Sequence, residues 1–139
     1  MGANIGSPPP FFIHNYSIGD KIFEGDSPNP SAWTDLDVSG KCGARVALLF
    51  IQVINWEDAP DAPAAYAFRR AGPVRELRAE GFPTACDGVS NCYVRARSVF
   101  GEGYVLVQTD NTGHIDWFCN VVDHHTIFGL AAWLPIKDI

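Results

Sequence analysis

The stretch Tyr93-Val-Arg-Ala-Arg-Ser-Val-Phe-Gly-Glu-Gly-Tyr-Val-Leu-Val-Gln-Thr-Asp-Asn-Thr-Gly-His-Ile-Asp-Trp-Phe-Cys-Asn-Val121 decides the fold class. It reads as three strands, 93–99, 104–109 and 114–121, rich in β-branched and aromatic residues. Between them stand Gly101-Glu-Gly103 and Asp110-Asn-Thr-Gly113, whose Gly and Asn content is that of hairpin loops. Strands joined by such short turns pair antiparallel, because parallel neighbours need a far longer crossover.

The same texture extends in both directions. Residues 44–55 carry Val46, Leu48, Leu49, Phe50, Ile51, Val53 and Ile54 almost without interruption, the pattern of a central strand covered on both faces. Residues 33–39 alternate, with Trp33, Asp35 and Asp37 to one side and Thr34, Leu36 and Val38 to the other. Residues 64–70 alternate as well and stop at Gly72-Pro73, and residues 21–24 form a short strand closed by the turn formers of 25–30. Downstream, residues 127–136 make a final strand. Residues 74–80 fit one or two helical turns and a long surface loop equally well. With turn signals spaced as in all-β domains and no long amphipathic helix, the expectation is an antiparallel β-sandwich or jelly roll of about eight strands.

This domain covers residues 20–139 and is preceded by an extended arm, residues 1–19. Pro8-Pro9-Pro10 favours polyproline geometry. Phe11, Phe12, Ile13 and Tyr16 follow at once, too many large apolar groups for a merely solvated tail. They are candidate interface residues, placed either against a neighbouring subunit or over one end of the chain's own core.

The totals narrow the function. A chain of 139 residues, 47% apolar and 19% charged, is about one domain long and globular in composition. Its net charge of −6 argues against nucleic acid as a partner. Six of the ten basic residues, Arg69, Arg70, Arg75, Arg78, Arg95 and Arg97, fall within 69–97 and read as a solvated face or inter-subunit ion pairs in preference to an anion-binding patch. The start has neither a basic region nor an apolar one of the signal-peptide kind, and no apolar run approaches the ~20 residues of a membrane span, so no membrane partner is expected.

Tests for chemistry return little. There is no G-x-S-x-G, H-E-x-x-H, P-loop or EF-hand pattern, so no catalytic residue, enzyme activity or cofactor is expected. His114, His124 and Asp116 offer a conceivable metal-dependent site, but the His/carboxylate set also fits polar turn residues. Asp35 and Asp37 share a strand face, as paired carboxylates of an acid/base site or as an outer polar surface. Among the four cysteines, Cys86 and Cys92 bracket a turn-rich loop and form the best disulfide candidate; no C-x2-C pair speaks for zinc. Trp56, at the head of an acidic loop, is the tryptophan expected to be exposed, where its ring can stack on a ligand such as a sugar. Trp117 and Trp133 read as core.

Three stretches, Trp33-Thr-Asp-Leu-Asp-Val-Ser39, Tyr66-Ala-Phe-Arg69, and Tyr104-Val-Leu-Val-Gln-Thr-Asp110 with Gly113-His-Ile-Asp-Trp117, together resemble small β-sandwich virion proteins of tailed phages. The likeness spans about residues 33–136, rests on strand and turn patterns, and names no site residues. It implies a capsid decoration (cement) protein or a tail-associated module. Such a protein is a homo-oligomer, with a trimer favoured, bound to a capsid or other assembly protein on the virion surface after assembly in the host cytoplasm. The alternative is a carbohydrate- or receptor-binding β-sandwich module of a phage tail or secreted protein.

Overall fold

The computed structural model describes residues 12–13, 21–28, 32–56, 62–72, 77–79, 82–84, 89–96 and 100–136. Its strands are β1 (Phe12–Ile13), β2 (Lys21–Asp26), β3 (Thr34–Asp37), β4 (Ala47–Trp56), β5 (Ala62–Arg70), β6 (Leu77–Ala79), β7 (Phe82–Thr84), β8 (Ser90–Ala96), β9 (Phe100–Gln108), β10 (His114–Cys119) and β11 (His125–Pro135). One four-residue helix, α1 (Ser39–Cys42), follows β3.

The strands form two antiparallel sheets stacked as a sandwich. In sheet I, β11 lies between β4 and the successive segments β2 and β1, and β9 flanks β4 on the outside. Sheet II runs β3-β10-β5-β8. Leaving aside the two-residue β1, the two sheets hold eight strands, as the turn spacing led one to expect. The all-β, sandwich-like architecture of the sequence reading is therefore what the chain adopts.

Alternation places the core between the sheets. Ala47, Leu49, Ile51 and Val53 of β4 point inward and are fully buried. They meet Ala64, Tyr66 and Phe68 of β5, Val94 of β8, and Ile115, Trp117 and Cys119 of β10. An aromatic cluster fills the middle. Phe128 packs edge-on against Trp117 at 4.8 Å and against Phe68 at 5.0 Å, and Phe23 of β2 closes over Trp117 at 4.9 Å. Edge-to-face contacts of this kind add to the area term by about 1 kcal/mol each.

The buried polar groups are mostly matched. Thr126 Oγ1 donates to the His124 carbonyl and so accepts from the Tyr66 hydroxyl, 2.9 Å away. Thr109 Oγ1 donates to the Arg45 carbonyl and accepts from Ala47 N–H. Only the buried Trp117 Nε1 lacks a partner among the described residues. Burial lifts the Tyr66 phenol and the Cys42 and Cys119 thiols above their ordinary values, and pushes Cys92 up to about 11.

Three local expectations need correction. Asp110-Asn-Thr-Gly113 is not a hairpin within one sheet, because β9 pairs with β4 in sheet I whereas β10 pairs with β3 and β5 in sheet II. Asp110 Oδ1 accepts from Thr112 N–H, Thr112 Oγ1 and His114 N–H, so the turn is self-supporting, and it carries the chain across the sandwich. Gly113 is needed there twice over: its φ is +83°, and a Cβ would lie 2.6 Å from the Gly43 carbonyl.

Gly101-Glu-Gly103 is not a loop either. It belongs to β9, pairing with Asn55, Ile54 and Val53, and Gly103 permits a close pass against β8. Where the helical reading of 74–80 reaches described residues, at 77–79, the backbone is instead extended: β6 pairs antiparallel with β7 across a two-residue gap containing Gly81.

Candidate interaction surface

Sheet I has one face in the core and one facing outward. On β4 the outward residues are Leu48, Phe50, Gln52, Ile54 and Trp56; opposite them on β9 stand Gln108, Leu106, Tyr104 and Glu102. On β11, Ile127 lies beside Ile54 and Leu134 beside Leu48. The register thus aligns apolar rows across three strands, Leu134 with Leu48, Phe50 with Leu106, and Ile127 with Ile54.

None of this is fully covered. Leu106 is 52% exposed and Tyr104 50%, and Leu48, Phe50, Ile54, Ile127 and Leu134 are half-buried. The Phe50 and Tyr104 rings stack diagonally across the two strands at 5.3 Å with planes 22° apart, which fixes both in place. The polar centre of the face is closed on itself, since Gln52 Nε2 donates to Glu102 Oε2. Contiguous exposed apolar area of this kind marks a contact site on a monomer.

The strand read as covered on both faces is fully buried on its inner face and, among the described residues, only partly covered on its outer one, where Leu48, Phe50 and Ile54 are half-buried. Its sequence carried the signal, because β4 and β9 are apolar at odd and even positions alike where a half-exposed strand would alternate. What sequence reasoning missed is which half faces outward.

Of the sequence-derived candidates, Trp56 lies at the margin of this face. Trp56 is 45% exposed at the end of the outer face of sheet I. It lies four residues along β4 from Gln52, the partner of Tyr104, so the two aromatic rings stand about 14 Å apart along the strands. Phe12 and Ile13 have their backbone paired with Trp133 and Ala132 of β11 in the same chain, on the edge left by β2. Phe11 and Tyr16 lie outside the described residues. Cys92 is a free, buried thiol facing Gly103, and Cys86, the other half of the candidate bridge, lies outside the described residues.

The residues of the conceivable metal site do not converge. His114 starts β10, with Nδ1 3.0 Å from the Asp35 carboxylate and Nε2 3.4 Å from Asp37 Oδ1. His124 lies beyond the other end of that strand, with Nδ1 3.2 Å from Asn55 Oδ1. Asp116 turns to Arg69 Nε at 3.2 Å. Among the described residues no group of three His, Cys, Asp or Glu is placed to hold a metal ion.

Asp35 and Asp37 are likewise engaged. Asp37 accepts from Ser39 N–H at 2.9 Å, and the hydroxyl and N–H of Ser39 hold its carboxyl below the usual range. The hydrogen bond to Asp35, aided by the nearby charges of Asp35, Asp37 and Asp110, raises the pKa of His114. These are ion pairs between neighbouring strands, closed among themselves. No protein-family model, no curated protein and no solved structure matches this chain.

Proposed function

We propose that this protein is a structural assembly protein, a phage capsid decoration protein that binds a capsid surface as a homo-oligomer and acts without catalysis. The observation that supports it best is the outer face of sheet I, where Leu106 and Tyr104 stand half exposed among rows of aliphatic residues. A surface of this kind is costly to leave in water, at ~25 cal/mol per Å2 of apolar area, and gains by being covered. The phage assignment rests on the resemblance of the strand and turn patterns in residues 33–136. Size-exclusion chromatography with light scattering on the full chain tests the assembly reading. The expected result is a mass that is a multiple of the 15.2 kDa chain. A strict monomer at tens of micromolar protein would overturn it.

A further inference from the structure

We infer that the outer face of sheet I is self-complementary and docks a second copy of this chain about a two-fold axis. This rests on the assembly reading and deepens it by naming the surface and its occupant.

Charge decides the occupant. The chain carries a net −6, so two copies approach only through a region from which charge has been removed. The three strands at the centre of the face, β4, β9 and β11, contain no Lys, Arg or Asp and carry only Glu102 and His125 among Glu and His; Lys21, Glu24 and Asp26 lie on β2 at its margin. Glu102 is tied to Gln52, and His125 Nε2 lies 2.9 Å from Glu24 Oε2 at the β2 margin. A basic partner would find little to pair with at the centre of this face, and an acidic one would find no cation there. The surface that matches an uncharged, apolar sheet is another uncharged, apolar sheet.

Size and shape agree. With strands ~4.8 Å apart and ~3.4 Å per residue, these three strands over the length of β4 offer roughly 500 Å2 per copy, so a face-to-face pair buries about 1,000 Å2, where specific interfaces begin. Stacking one outer face on its copy repeats the packing of the sandwich itself, two sheets ~10 Å apart with strands offset by ~30°. Such a contact is isologous, each residue meeting its counterpart's neighbours in both directions, and it closes at two copies. The stacked Phe50–Tyr104 pair supplies a rigid aromatic anchor beside Leu106.

Sedimentation velocity over a range of concentrations tests this on the full chain, comparing wild type with Leu106→Lys and Tyr93→Lys. Tyr93 is 61% exposed and lies on the outer face of sheet II, so it controls for the mere loss of a surface hydrophobe. The expected result is a wild-type dimer, a Tyr93→Lys dimer of similar affinity, and a Leu106→Lys chain that associates about 30-fold more weakly or worse. Circular dichroism melting confirms that Leu106→Lys folds; if it does not, Leu106→Ser replaces it with the same expectation. An oligomer that persists in the Leu106 variants, or a wild-type trimer, overturns the two-fold face and leaves the assembly reading intact. A wild-type monomer overturns both.

Discussion

The two sheets present opposite kinds of outer surface. On sheet II the outward residues form pairs: His114 with Asp35 and Asp37, and Asp116 with Arg69, whose guanidinium also lies 4.2 Å over the Trp33 ring. Trp33 in turn packs edge-on against Phe118, which points away from the main core and is still only 1% exposed. At β3 and β10 that face completes its own contacts, while on β8 Tyr93 stands 61% exposed. On sheet I the paired groups are Gln52–Glu102 and, at the β2 margin, Glu24 with Lys21 and His125, while the outward groups of β4, β9 and β11 between them are mostly aliphatic or aromatic. The β3–β10 side of sheet II meets polar partners of its own, whereas the β4–β9 side of sheet I leaves a row of apolar groups half exposed. The contrast explains why a chain with 19% charged residues keeps β4, β9 and β11 nearly free of them.

The largest effect is expected where the finished face is undone. Arg69→Ala removes the only ion-pair partner shown for Asp116, a carboxylate 8% exposed whose pKa is raised by burial against the opposing pull of Arg69. Stranding a buried charge in this way costs about 2–4 kcal/mol, read by urea denaturation, and adding Asp116→Asn recovers part of it. If Arg69→Ala costs less than about 0.5 kcal/mol, sheet II's outer pairs are only solvent-screened decoration and the contrast between the faces loses its basis.

A somewhat smaller loss is expected where the two sheets meet. β8 and β9 run side by side, and a Cβ on Gly103 would lie 2.4 Å from Cys92 Sγ and 3.2 Å from Val94 Cγ2. Gly103→Ala therefore overpacks that seam and costs about 1–3 kcal/mol. Cys92→Ala in the same chain relieves the clash, so the double variant loses less than the two single losses together. Strict additivity would show that β9 simply moves away from β8, and the closed seam would then be no part of what holds sheet I in place.

The strands themselves were legible because β4, β5, β9 and β10 are dense in β-branched and aromatic residues and bounded by Gly, Asn and Pro. The pairing partners were not. Asp110-Asn-Thr-Gly113 has the composition of a hairpin, and what makes it a crossing between sheets is distant in sequence: Thr109 bonded to Arg45 and Ala47, and Val38 N–H donating to the Gly113 carbonyl. Gly103 was visible as a glycine but not as a site of close approach, since Cys92 and Val94 come to it only through the fold. The interaction surface was half legible. Apolar residues at every position of residues 104–107 announce cover on two sides, yet a single sequence does not distinguish cover by the same chain from cover by another.

The smallest effect tests whether sheet II's face responds to pH as a set of ion pairs must. Hydrogen bonding to Asp35, with the charges of Asp35, Asp37 and Asp110, raises the His114 pKa above its ordinary 6.5, so the folded chain binds this proton more tightly than the unfolded one. The resulting stabilisation is complete below about pH 6.5 and is lost as the pH rises through the raised value. The carboxyls of Asp37 and Glu24 are held low, chiefly by Ser39 and Lys21 respectively, and they set the opposite limb: their stabilisation is present above the ordinary carboxylate range and lost on acidification below it. The melting temperature should therefore be slightly higher near pH 6 than near pH 8, by about 1–2 °C for a half-exposed pair, and His114→Gln should flatten that rise. Salt near 1 M, where screening acts within ~3 Å, should flatten it as well. Leu106 lies on the other sheet, away from the His114 pairs, so Leu106→Lys should leave the slope between pH 6 and 8 unchanged. A slope that vanished with Leu106→Lys and survived His114→Gln would place the pH-sensitive contacts on the apolar face of sheet I instead of on sheet II.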